Sequence, residues 1–197
     1  MNIDWDDVFR SVSTESQLIT ASEDYIHNVI EKYNMNIDTH YLINIRISTN
    51  TKRTAGHVKY YSHPKLNVGL EPKWGNLEYD LEEEGFEDIR DCELMLSWNA
   101  FEEFDAQEWK ENIRHELIHI EELQAYGDSD HGWRFKARAE ELDTGVSCSK
   151  FTEYNYELYC SECNEFVAGR YNKSKIVKNV SDYNAGCCNA DLYVKEK

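Results

Sequence analysis

The segment that most constrains this chain is QEWKENIRHELIHIEELQAY, residues 107–126, because nothing inside it breaks a helix and both of its ends are marked. Asp105 followed by Glu108 is a side-chain acceptor with a carboxylate three residues on, the pattern that closes a helix N-terminus. Gly127 is a natural C-terminal stop. Within the helix Trp109, Ile113, Leu117 and Ile120 fall on one stripe, and that stripe must face a core. Asn99 followed by Glu102 predicts another helix start just upstream. Downstream, Asp128, Ser129 and Asp130 offer a new cap, and a second helix is expected from about His131 or Gly132 to about Leu142.

The same helix carries His115-Glu116-Leu117-Ile118-His119, an HExxH pattern. Residues four apart lie one turn apart on one helix face, so two imidazoles can reach one zinc ion at about 2.0 to 2.1 Å while the intervening glutamate projects beside the open coordination position. A catalytic zinc usually takes three protein ligands. His131 is the expected third, because the chain folds back after Gly127 and the next helix starts at that histidine. In this reading His115, His119 and His131 hold a catalytic zinc, and Glu116 is the general base of metal-assisted hydrolysis. The other histidines, at 27, 40, 57 and 63, have no spacing of interest. Tyr126 and Arg134 lie near the motif in sequence, but neither is assigned a role.

The remaining elements point to an α+β fold. A helix is expected over residues 22–34, where Tyr25, Ile26, Val29, Ile30 and Tyr33 recur at helical spacing. LINIRIST alternates like a half-buried strand with Ile43, Ile45 and Ile47 on one face, and GHVKYY, LNVGL and CELMLSW read as further strands. The expected architecture is a zincin-like domain over residues 1–149, a small mixed or antiparallel sheet packed on the HExxH helix, followed by a zinc-ribbon-like β tail over 150–197. The nine acidic residues between Glu78 and Glu93 read as a solvated face.

Charge separates the two parts. The chain has 21 basic and 38 acidic residues, and those of 150–197 balance at seven each, so residues 1–149 carry the whole net charge of −17. Such a body offers no broad positive footprint for phosphate backbones, so nucleic-acid contact has to be local. An acidic surface also suits high salt, although lysine, 13 of the 21 basic residues, is not scarce. The first thirty residues lack a basic start with an apolar signal core, and no run approaches the roughly 18 apolar residues of a membrane span. The expectation is a soluble, cytoplasmic protein with no membrane partner.

Four of the six cysteines fall in the last forty residues, as Cys160-Ser-Glu-Cys163 and Cys187-Cys188. In an unexported chain such clustering reads as metal binding before disulfides. CSEC is half of a zinc ribbon, and Cys187 with Cys188 would complete a second, structural zinc site, with Cys148 as an alternative fourth ligand. Without metal, the tail would have to fold on Phe166, Val167, Ile176, Val177 and Tyr193. Between the cysteine pairs Arg170, Lys173, Lys175 and Lys178 alternate with Phe166, Tyr171 and Tyr183. Positive charge can track a backbone and exposed rings can stack on unpaired bases, so this hairpin is the expected DNA contact.

HELIHIEELQAYGDSDHGWRFKARAEEL resembles the signature of the SprT-like (Spartan-type) zinc metallopeptidases, in which an HExxH helix is followed by a turn, a His-Gly pair and a helix with an early aromatic residue. RTAGHVKYYS and CELMLSW resemble that family's lead-in strands. The resemblance implies His115, His119 and His131 as zinc ligands, Glu116 as catalytic glutamate, and protein substrates associated with or crosslinked to DNA. It also implies a terminal ribbon whose last cysteine stands four before a leucine, as Cys188 does before Leu192; the partner expected three residues earlier is Ala185. Two readings compete with a DNA-linked protease: a non-catalytic zinc-containing DNA- or protein-binding module, and a metallopeptidase with no DNA link.

Overall fold

The computed structural model describes residues 3–70, 81, 85–147 and 151–197. The chain forms two compact units, Met1–Phe151 and Thr152–Lys197. Most of the 78–93 acidic block (Glu78, Asp80 and Glu82 to Glu84) and Cys148 lie outside the described residues.

The first unit opens with α1 (Trp5–Arg10), capped by the Asp4 side chain, and α2 (Glu15–Lys32). α2 begins seven residues earlier than its apolar periodicity suggests, because the Thr14 hydroxyl accepts the backbone N–H of Gln17 and starts the helix upstream of the buried stripe. That stripe, Leu18, Ala21, Tyr25, Ile26 and Val29, is buried in the core.

Strands β1 (Leu42–Ser48), β2 (Gly56–Tyr60) and β3 (Cys92–Ser97) make a mixed sheet of order β1-β3-β2, in which β3 runs parallel to β1 and antiparallel to β2. Central β3 buries Cys92, Leu94 and Leu96 completely. Two strand expectations are corrected. Ile43 is 46 % exposed, because the register slips between Leu42 and Asn44. One extra residue reverses the alternation, so Leu42 joins Ile45 and Ile47 against the core. LNVGL forms turns rather than a strand: Leu66 N–H donates to His63 O, Leu70 N–H donates to Asn67 O, and Gly69 takes φ 91°.

α3 (Trp98–Glu103) follows β3 directly, capped by the Ser97 hydroxyl and not by Asn99, whose amide donates instead to the carbonyls of Thr49 and Thr51. α4 (Ala106–Tyr126) carries the expected box, Asp105 and Glu108 each accepting the other's backbone N–H, and ends at Gly127 in the left-handed conformation, φ 78°. Trp109, Ile113, Leu117 and Ile120 are all fully buried. Burial extends beyond that stripe to Arg114, His115, Glu116 and Glu122, since the sheet, α2 and α5 (Trp133–Glu141) all pack on α4. α5 is preceded by Gly132, with the Asp130 carboxylate accepting the Gly132 N–H at 2.6 Å.

The second unit is an antiparallel sheet of order β5-β4-β6, formed by β4 (Tyr156–Cys160), β5 (Phe166–Arg170) and β6 (Leu192–Glu196), with the short helix α6 (Lys175–Lys178) in the crossing segment. Its small core is Leu158, Cys160, Val177, Ala185 and Leu192. Phe166 and Val167, which a tail folded without metal would have to bury, are 47 % and 38 % exposed; they lie on the edge strand, where the register slips opposite Leu158 and Tyr159. Among the described residues no helix is long and apolar enough to cross a membrane.

Candidate metal centres

His115 and His119 sit one turn apart on α4, and the turn at Gly127 to Gly132 brings His131 to meet them. Nε2 of His119 is 3.3 Å from Nε2 of His115 and 3.1 Å from Nε2 of His131. Two nitrogens each bonded at about 2.0 to 2.1 Å to one tetrahedral centre stand ~3.3 Å apart, so this spacing fits a zinc ion. Phe135, fully buried in the first turn of α5, floors the cluster, its ring centroid 4.6 to 4.8 Å from all three imidazoles.

The donor chemistry fits as well. Nδ1 of His115 lies 2.9 Å from the carbonyl oxygen of Gly145. A carbonyl can only accept, so Nδ1 carries the hydrogen and Nε2 presents a lone pair to the cluster. Burial holds both His115 and His119 below the ordinary imidazole range, His119 at about 3. The neutral ring thus favoured is the form that ligates a metal.

Glu116 is 3 % exposed, and burial pushes its carboxyl up to about 8. The edge strand β2 closes over it at Gly56, where a Cβ would lie 3.0 Å from Oε1. A divalent cation nearby would reverse that shift by favouring the carboxylate. At the other end of β2 the Tyr60 hydroxyl donates to Asp128 at 2.9 Å, tying the strand to the turn that bears His131. Burial raises that phenol to about 12. Arg134 and Tyr126 bond to each other at 2.7 Å, and Arg134 also donates to Gly69 O.

The SprT-like family model matches residues 23–158, the span that holds all of these groups. The chain belongs to the SprT-like family. Among curated proteins none matches it, and among solved structures none does. Membership is consistent with a metallopeptidase-type protein and suggests a zincin-like fold for the SprT-like unit.

The SprT-like chain has a second group of ligand-type side chains in its C-terminal unit. Sγ atoms of Cys160, Cys163, Cys187 and Cys188 all lie within 4.8 Å of one another, and those of Cys163 and Cys187 are 3.5 Å apart. Four thiols at this spacing fit a tetrahedral zinc. Backbone N–H groups, that of Cys163 foremost, draw the Cys160 thiol down to about 7, whereas hydrogen bonding to Cys163 pushes Cys187 up to about 11 and Cys188 to about 12. Four thiolates cannot gather here without a cation to balance them.

Arg170 ends β5, Lys173 follows it, and Lys175 and Lys178 bracket α6; all four are exposed and none is ion-paired among the described residues. Of the interleaved rings only Phe166 is largely exposed. It stacks on Tyr154 at 6.2 Å, and Tyr154 meets Tyr171 at 4.9 Å.

Gly56, Gly145, Ser129 and Glu122 take part in the first centre without having been singled out in the sequence as site residues. Only Glu122 carried a usable signal there, since it stands three residues after His119 and seven after His115 on the same helical face.

Proposed function

We propose that this SprT-like chain is a zinc-dependent endopeptidase with a zincin-like catalytic unit, acting on proteins bound or crosslinked to DNA. The observation that carries the reading is the convergence of three imidazoles beside the helix that bears Glu116, with Nε2 of His119 3.3 Å from that of His115 and 3.1 Å from that of His131. A metal that only braced a fold would need no ionisable carboxylate one residue from its ligand.

His115, His119 and His131 would hold the zinc, which when bound acidifies a water molecule and polarises the scissile carbonyl. Glu116 takes the proton of the attacking water on a carboxylate oxygen and passes it to the leaving amine. Its dry position between α4 and Gly56 keeps bulk water from competing for that proton. The four cysteines would hold a second, structural zinc.

Support for the DNA link is the basic set Arg170, Lys173, Lys175 and Lys178, without an ion pair among the described residues, beside the exposed Phe166 on the charge-balanced unit of an otherwise acidic chain. Such a surface tracks phosphates and stacks on bases.

Purified protein, its Glu116→Gln variant and its His119→Ala variant should be incubated with a DNA-binding protein, with and without single-stranded DNA. Glu116→Gln is expected to keep zinc and lose cleavage, and His119→Ala to lose both. DNA is expected to stimulate the wild type, less so when the four basic residues are replaced by alanine. Cleavage retained in Glu116→Gln refutes the peptidase assignment; cleavage indifferent to DNA refutes the link.

A further inference from the structure

Behind the three imidazoles lies a second carboxylate. Glu122 is 5 % exposed, and its Oε2 accepts the Ser129 hydroxyl at 2.7 Å and the Asp130 N–H at 3.4 Å. The Ser129 oxygen stands 2.7 Å from Nδ1 of His119. A serine hydroxyl has a single proton. With that proton given to Glu122, the oxygen can only accept from His119, so Nδ1 bears the hydrogen and Nε2 turns its lone pair to the other rings. Oε1 of Glu122 is buried and has no hydrogen-bond partner among the described residues, a cost that packing alone does not account for.

We infer that Glu122 and Ser129 form a positioning relay that sets the tautomer of His119 and, through the same carboxylate, pins the turn that delivers His131. One buried acid thereby organises two of the three ring nitrogens. Neither residue touches the reacting atoms. The contact to Asp130 restrains the turn one residue before His131, and the contact to Ser129 reaches the far side of the His119 ring. Carboxylates commonly orient metal-binding histidines in this way, and their loss weakens metal binding by roughly 10- to 100-fold. As far as it concerns metal, the inference rests on the zinc reading above; as far as it concerns the ring proton, it does not.

The test uses full-length protein and two readouts. The first is ¹⁵N NMR of the histidine rings in metal-free protein, and the second is zinc affinity by chelator competition, each for the wild type, Ser129→Ala, Ser129→Thr and Glu122→Gln. His119 should appear as the Nδ1–H tautomer in the wild type and in Ser129→Thr. It should become a mixture of tautomers in Ser129→Ala, where zinc should bind about 10- to 100-fold more weakly. Glu122→Gln keeps an acceptor oxygen and should fall between. A Ser129→Ala protein with the wild-type tautomer and wild-type zinc affinity overturns the relay. Wild-type protein that takes up no zinc at the triad overturns the metal reading itself, a failure visible before any variant is made.

Discussion

A Cβ built on Gly56 would stand 2.8 Å from Cγ of Glu116, closer than such atoms approach in practice, and a tight 3.1 Å from its Cδ. The edge strand and the helix are thus in contact through a hydrogen atom on one side and the proposed general base on the other. Gly56→Ala should push the carboxylate aside without touching a zinc ligand. The expected result is a fall in kcat of about 10²-fold, the scale of a misplacement near 1 Å, with zinc content unchanged. Steady-state kinetics beside elemental analysis checks it; full kcat in the alanine variant would mean that Glu116 is not held where the strand places it.

Glu116 also sets a sign for stability against pH in metal-free protein. Its folded carboxyl is raised from 4.5 to about 8 by burial. The stabilisation from keeping it neutral is complete below pH 4.5 and is lost as pH rises through about 8. Glu116→Gln removes that dependence. In the presence of chelator the variant should therefore melt higher than the wild type at pH 8 and equally at pH 4. Melting curves by circular dichroism across that range decide it, and parallel curves would contradict the buried, neutral acid.

His119 works in the opposite direction. Burial lowers its folded value from 6.5 to about 3, so the stability it contributes is present above pH 6.5 and is lost as pH falls toward 3. In the Glu116→Gln background, which silences the opposing group, urea unfolding of metal-free protein should show declining stability from pH 7 to pH 5. Zinc should leave over the same interval, since protons compete for the same Nε2 lone pairs. Stability that stays flat down to pH 5 would argue against burial of the ring.

How much of this was legible beforehand follows from the range of each interaction. α4 could be read whole, because its capping box, its apolar stripe and Gly127 all act within a few residues. The convergence of His131 on the HExxH pair was legible for the same reason, the intervening turn being short and strongly marked. The start of α2 was also local, written in Thr14 and Gln17, but lay upstream of the helix's apolar periodicity. Ile43 and LNVGL failed for a different cause: alternation of apolar residues reports a strand only if the register is unbroken, and a bulge at Leu42 and a left-handed Gly69 broke it. Gly56 against Glu116 and Gly145 against His115 are contacts between segments 30 or more residues apart, and no local pattern encodes them.

The cysteine site yields a prediction from two turns built alike. Cys160 N–H donates to Glu165 O and Asn164 N–H to Cys160 O, both at 3.0 Å, with Asn164 at φ 57°. Ala185 N–H donates to Ala190 O and Asn189 N–H to Ala185 O, both at 2.8 Å, with Asn189 at φ 53°. Residue for residue, Cys163 corresponds to Cys188, and Ala185 occupies the buried place that Cys160 has in the first turn. The fourth sulfur therefore comes from Cys187, one position before Cys188 and exposed. Cys187→Ser should reduce zinc from two ions per chain toward one, and adding Ala185→Cys to it should restore the second, because the backbone at 185 already has the shape that presents Cys160. Elemental analysis together with the thiolate-to-metal absorption of the cobalt-substituted protein checks both steps. Full zinc content in Cys187→Ser would show that this sulfur is no ligand, and failure of the double variant to regain metal would show that the two turns are alike only in their hydrogen bonds.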